Sequence, residues 1–159
     1  MSRPREPSWL AGHQALRKGR ASIAGEIYLL TVTTFRREPL FVDFRKACCV
    51  ARCFEGRLSL GENRLLAWVL MPDHAHWLLQ LGEGERLETS VGRLKALSAR
   101  EFNRLSGRRG SVWTSAFHDH ALRNEKEVQP AARYIVANPI RAGMVRRIGD
   151  YPFWNAQWL

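Results

Sequence analysis

No apolar run in this 159-residue chain is long enough to span a bilayer, and the polar N-terminal stretch lacks the apolar core of a signal peptide. The expectation is a cytoplasmic protein. Cysteine is scarce, and Cys48, Cys49 and Cys53 fall close together on one expected helix. That is neither a disulfide framework nor a paired zinc motif, so the three read as small core residues in a reducing compartment. Internal repeats and low-complexity linkers are also missing, which excludes solenoids and disordered arrays. Acidic residues are few: 15 Asp plus Glu stand against 25 Lys plus Arg, a formal charge of +10 carried almost entirely by arginine.

What is present suits one folded domain, with 45% hydrophobic and 25% charged residues. An arginine-rich surface favours phosphate partners, because the guanidinium fork matches phosphate oxygens bidentately. No basic helix with a large apolar face points instead to a membrane surface. The best candidates for DNA contact are Arg17, Lys18, Arg20, Arg93, Lys95, Arg100, Arg104, Arg108, Arg109 and Arg141. Trp113, Trp154 and Trp158 are candidates for stacking unpaired bases, although packing is the commoner use of such residues.

Residues 1–25 read as a basic arm, 26–143 as the main domain and 144–159 as an irregular aromatic tail packed on it. The segment 26–36 is β-branched and aromatic, as a strand requires. Residues 42–56 set Phe44, Ala47, Cys48, Ala51 and Phe54 on one helical stripe, with Asp43 as N-cap and Gly56 as stop. Strands at 64–71 and 74–81 are joined by a Pro72–Asp73 turn. A helix over 86–106 turns Leu87, Val91, Leu94, Ser98 and Leu105 inward. A strand at 115–122 precedes a last helix that ends near Asn138, since Pro139 disfavours helical geometry in the residue before it. Asn124 and Glu127 have capping-box spacing at the start of that helix, but Pro130 favours a later start, with the proline at the first helical position. The order β-α-β-β-α-β plus an extra helix is an α+β, ferredoxin-like pattern. It implies an antiparallel sheet with helices on one face.

Two short motifs carry the chemistry. In WVLMPDHAHWLLQ (68–80), strand alternation projects His74 and His76 to the same side and turns Ala75 away. Such a pair can grip a divalent cation, or it can be two hydrogen-bonded histidines beside a hairpin. In RYIVANPIRAG (133–143), Tyr134 and Asn138 share a helix face. Tyrosine can form a covalent intermediate, and an Asn carbonyl oxygen suits Mg²⁺ or Mn²⁺ better than a soft metal. The alternative is a tyrosine packed on the sheet and an asparagine closing the last turn. His118 and His120 also alternate onto one face, with a structural or DNA-contacting role preferred over a second metal site.

Taken in order with VWTSAFHDHALR (112–123), these motifs resemble the REP-associated tyrosine transposases, a branch of the HUH single-tyrosine nucleases. The resemblance runs from about Gly19 to the C-terminus. HxH followed by YxxxN and then PxRAG is its specific part. It implies that His74, His76 and Asn138 hold one Mg²⁺ or Mn²⁺ and that Tyr134 is the nucleophile. It also implies an enzyme that cleaves single-stranded DNA beside a hairpin in repetitive extragenic palindromes. The tyrosine becomes joined to the 5′ phosphate, a 3′-OH is released, and a hydroxyl can later reseal the strand. A monomer is expected, with a dimer as the alternative. Two rival readings are a non-catalytic nucleic-acid-binding module on the same fold and a zinc hydrolase using His74, His76 and a carboxylate.

Overall fold

The computed structural model describes Pro7 and residues 22–158. Its frame is set by β1 (Ile27–Thr33), β2 (Arg64–Met71) and β3 (His74–Gln80). The β2–β3 hairpin turns in two residues, because Met71 and His74 already face each other across the ladder. The turn is tied down from outside. Its Asp73 carbonyl accepts from the Thr34 amide at 2.9 Å and its Pro72 carbonyl from the Phe41 amide at 3.0 Å. With β4 (His118–Ala121) and β5 (Trp154–Ala156), the strands form one antiparallel sheet in the order β4-β1-β3-β2-β5.

The register divides the side chains between two faces. One carries Leu30, Val32, Trp68, Leu70, Ala75, Trp77 and Leu79, all buried. On it pack α1 (Phe44–Phe54) and α3 (Leu87–Ser106), which also contact each other, with the short α2 (Arg57–Leu60) beside them. The Phe54 ring lies 5.1 Å from that of Trp77, edge to face, a geometry aromatic quadrupoles favour. Asp43 caps α1 as the sequence indicates, its Oδ1 accepting from the Lys46 amide at 3.0 Å. Gly107 ends α3 in the left-handed region at φ 63°.

The other face carries the histidine pair. In this register Thr31, His76 and Val69 lie in one row across β1, β3 and β2, and Leu29, Leu78 and Ala67 lie in another. This face is covered over β2, β3 and β5 by α4 (Val128–Val136), which buries Val128, Ala131, Ala132, Ile135 and Val136. A sheet with α1 and α3 on one side and the tyrosine helix on the other is the α+β architecture expected from the sequence.

Several local expectations are corrected. Phe44, at the first turn of α1, is 62% exposed and only leans on Phe153 with ring centroids 5.5 Å apart, while Val50 takes the buried position. Leu105 is likewise exposed, and Phe102 is the inward residue, edge-on to Phe41 at 5.4 Å. The three cysteines are half-buried and free, along the α1–α3 groove rather than in the core. The fourth strand is shorter than 115–122, because the Lys95 ammonium captures the Thr114 and Ala116 carbonyls and holds that segment off the ladder. After a 3₁₀ turn at Glu125–Glu127, Pro130 is the third residue of α4, where a missing N–H costs nothing. Glu127 accepts from the Arg123 amide at 2.9 Å, and the Asn124 side chain makes no cap, so the box is displaced by one residue. The tail is not irregular. Trp154 and Ala156 alternate with Asn155, and β5 pairs with β2 as the sheet's fifth strand.

Candidate active site

His74 and His76 project from β3 with ring centroids 5.0 Å apart and planes at 81°, and Ala75 between them is fully buried on the opposite face. Each imidazole is held from behind. The Nδ1–H of His74 donates to Asp73 Oδ1 at 2.7 Å, and Asp73 Oδ2 pairs with Arg37 Nε at 3.4 Å. His76 Nδ1 shares a hydrogen bond with the Thr31 hydroxyl at 2.9 Å, the cross-strand neighbour that the register supplies. With Nδ1 engaged on both rings, Nε2 is the atom left to ligate, which is how metal-binding histidines are commonly oriented.

Burial keeps both rings neutral. It pushes the His76 pKa down to about 3, with the charges of His74, Arg141 and Arg37 adding to the effect and the Leu30 carbonyl opposing it. Burial lowers His74 too, and the Asp73 carboxylate partly offsets the shift. Neutral imidazole is the form that donates a lone pair to a cation.

The approach to this site is built from strained backbone. Arg36 and Arg37 both have left-handed φ, 57° and 56°, a region L-residues avoid. Thr34, fully buried, holds the turn by donating from Oγ1 to the Glu38 carbonyl at 2.7 Å and to the Asp73 carbonyl at 3.1 Å. The result aims Arg37 at Asp73. Strain of this kind recurs near functional sites.

Tyr134 lies in the last turn of α4, half-buried against the core. The helix breaks at Ala137, and α5 (Asn138–Arg141) follows with Pro139 just inside its start. Tyr134 and Asn138 therefore sit on either side of a break, which corrects the picture of one continuous helix face. The Arg141 guanidinium returns over Tyr134, 3.9 Å from the ring centroid, and its Nη1 donates to the Tyr134 carbonyl at 2.6 Å. The same positive charge is felt by His76. The α4–α5 corner and the histidine strand thus meet in one electrostatic neighbourhood.

Among the described residues no group of three or more His, Cys, Asp or Glu side chains is arranged to hold a metal. The Asn138 carbonyl oxygen is a donor of the kind that suits a hard divalent cation. Two oriented neutral imidazoles and an amide oxygen fit a divalent cation. The carboxylate beside them, Asp73, is committed to His74 and Arg37, which does not fit a two-histidine-carboxylate zinc site.

The charged candidates separate by what they touch. Arg93 donates to the Ser59 and Leu60 carbonyls at 2.9 and 3.0 Å and pairs with Glu85 at 3.1 Å, and Lys95 holds the loop after Trp113. Both serve the fold. Arg104 pairs with Glu101, and Arg108 donates to the Ser111 carbonyl and lies 3.7 Å from Glu38. Arg100 and Arg109 are exposed, while Arg17, Lys18 and Arg20 lie outside the described residues. Trp113 is buried with Nε1 donating to Ser98 Oγ, and Trp154 Nε1 donates to the Ile148 carbonyl, so Trp158 is the most exposed of the three. His118 stands opposite Thr31 in the sheet, so the second histidine motif shares the face of the first across β1. Sequence reasoning missed Thr31, Asp73 and Arg37 as supports of the histidines. The alternation of Thr31 and Thr33 along β1 was the only available signal, and it needed the register to become meaningful.

Comparison with known proteins bears on the family and the fold. A REP-associated tyrosine transposase of Escherichia coli (strain K12) is 32% identical over 87 residues, covering 55% of this chain and 50% of that protein. A Haemophilus influenzae relative is 31% identical over 98 residues, covering 55% and 56%. The chain spans about half the length of the curated relatives it matches. A solved structure described as the REP-associated tyrosine transposase bound to a REP hairpin superposes with a TM-score of 0.67 at 25% identity, over 89% of this chain and 82% of that one. Residues 26–138 match the family described as transposase, IS200-like. The chain belongs to the IS200-like transposase family, and its resemblance to the REP-associated tyrosine transposases extends over both sequence and fold.

Proposed function

We propose that this protein cleaves and rejoins single-stranded DNA beside a hairpin, with Tyr134 as the nucleophile. The observation that carries the reading is the placement of a half-buried tyrosine at the α4–α5 corner, with Arg141 acting on both that tyrosine and His76. The family membership and the hairpin-bound structural relative support it.

The tyrosine oxygen attacks the scissile phosphorus, a phosphotyrosine bond forms, and the bond to the 3′ oxygen breaks. The released strand keeps its 3′-OH, and the phenolic proton passes to solvent or to the leaving oxygen. A hydroxyl attacking the phosphotyrosine reverses the exchange, so resealing requires no external energy source. His74, His76 and Asn138 would hold one Mg²⁺ or Mn²⁺, which when bound offsets negative charge at the phosphate. The protein's own share is to keep both imidazoles neutral and aimed, through Asp73 and Thr31, and to present the phenol from a rigid helix end. Sequence-independent affinity falls to exposed arginines such as Arg100 and Arg109.

One gel tests this. Incubated with Mn²⁺ and a hairpin oligonucleotide carrying a single-stranded flank, the protein should give a cleaved strand and a covalent protein–DNA adduct. Tyr134→Phe should bind the oligonucleotide and do neither. A wild type that only retards the oligonucleotide, across flanks drawn from its own genome, would instead identify a binding module.

A further inference from the structure

The PxRAG segment sets the Arg141 side chain against Tyr134 at two points. Pro139 has no N–H to donate, and α4 ends at Val136 with the Ala137 amide donating to the Arg133 and Ile135 carbonyls. Arg141 adds a side-chain donor at this helix end, its Nη1 donating to the Tyr134 carbonyl at 2.6 Å. A cation there also complements the negative end of the helix dipole. The Cζ of the same guanidinium lies over the Tyr134 ring, 3.9 Å from its centroid. One planar group therefore holds both the backbone and the ring of a single residue.

We infer that Arg141 is a positioning residue for Tyr134, fixing the direction in which the phenol faces the scissile phosphate, and is not primarily a DNA-backbone contact. The inference rests on Tyr134 being the nucleophile. A tyrosine in a last helical turn has several staggered χ1 wells available, and each points the hydroxyl elsewhere. A stacked guanidinium tied to the same residue's carbonyl restricts that choice. Lysine cannot reproduce this, because its ammonium has no plane to stack while a fork reaches the carbonyl. Contact at the reacting centre depends steeply on such alignment.

The test uses full-length wild type, Arg141→Lys and Arg141→Ala, with folding checked by thermal melts. Single-turnover cleavage at saturating hairpin oligonucleotide and Mn²⁺ should fall about 100-fold in both variants, the scale of loss for a misplaced reacting group. The dissociation constant for the same oligonucleotide, and its salt dependence, should stay at the wild-type value. Nitration of free protein by tetranitromethane, read by peptide mass spectrometry, should speed up at Tyr134 in Arg141→Ala, with buried Tyr28 and Tyr151 as internal references. Weaker binding and a shallower salt slope, with cleavage at saturation intact, would make Arg141 a phosphate contact and overturn the inference. So would unchanged cleavage and nitration in both variants. If wild type itself cleaves nothing, the strand-cleavage reading fails along with Arg141's role in it, and nitration then decides separately whether the arginine covers the ring.

Discussion

Thr31 and Asp73 hold the two histidines of the proposed cation site without belonging to its ligand set. Each fixes one imidazole through Nδ1, and such supports are typically worth 10- to 100-fold in affinity. Thr31→Val keeps the shape and removes the hydroxyl, so Mn²⁺ affinity measured by titration calorimetry should weaken about tenfold, while thermal stability changes little. His76 leads to a second expectation. Its ordinary value of 6.5 is pushed down to about 3 in the folded protein. Between those values the unfolded chain binds a proton that the folded chain refuses, so stability falls as pH drops from 6.5 toward 3. Urea melts across that window should show a shallower acid loss in His76→Gln than in wild type. Equal slopes would mean that His76 titrates freely in the fold.

At the scale of elements, the turn at Phe35–Arg37 is the strained piece. Arg36 adopts φ 57° and ψ 20° with its guanidinium only resting on the Phe35 ring at 5.1 Å, so nothing at the site depends on its side chain. Glycine takes left-handed φ without steric cost, so Arg36→Gly should raise unfolding free energy by up to about 1 kcal/mol in a denaturant melt. Arg37 has the same φ but reaches Asp73, and Arg37→Gly should weaken Mn²⁺ binding. This turn was not legible in the sequence, because arginine carries no signal for left-handed geometry. The β2–β3 hairpin was legible nearly to the residue, since Pro72–Asp73 punctuates two apolar runs whose alternation marks their faces. The helices were legible in position and less so in facing. Phe44 and Leu105 fit the stripe by period but lie in the first turn of α1 and the last turn of α3, both exposed, and Val50 and Phe102 are buried instead. The Tyr134–Asn138 spacing was legible, but the break at Ala137 was not, because Pro139 marks a boundary without saying how the chain continues beyond it.

For the whole molecule, a net charge of +10 predicts strong salt dependence of DNA binding, but the arginines do not share it equally. Composition could not separate those serving the fold from those facing solvent. Arg93 is enclosed by two carbonyls and Glu85, and Arg93→Ala should cost about 2 kcal/mol of stability by removing its charge-assisted hydrogen bonds to Ser59, Leu60 and Glu85. Arg100→Ala and Arg109→Ala should leave melts unchanged and each reduce the slope of log affinity against log salt by about 1 if the residue meets a phosphate. Fluorescence anisotropy over a salt series separates the two groups.

The two-residue turn between β2 and β3 also decides what kind of object the folded chain is. A slip of one residue in β3 would exchange its faces, carrying both histidines into the layer now filled by Trp77 and setting the indole on the face of the proposed cation site. No intermediate degree of that error exists, so an ill-registered molecule would be catalytically silent rather than sluggish. Misfolding would then lower the titre of competent molecules in a sample and leave the turnover of each survivor untouched.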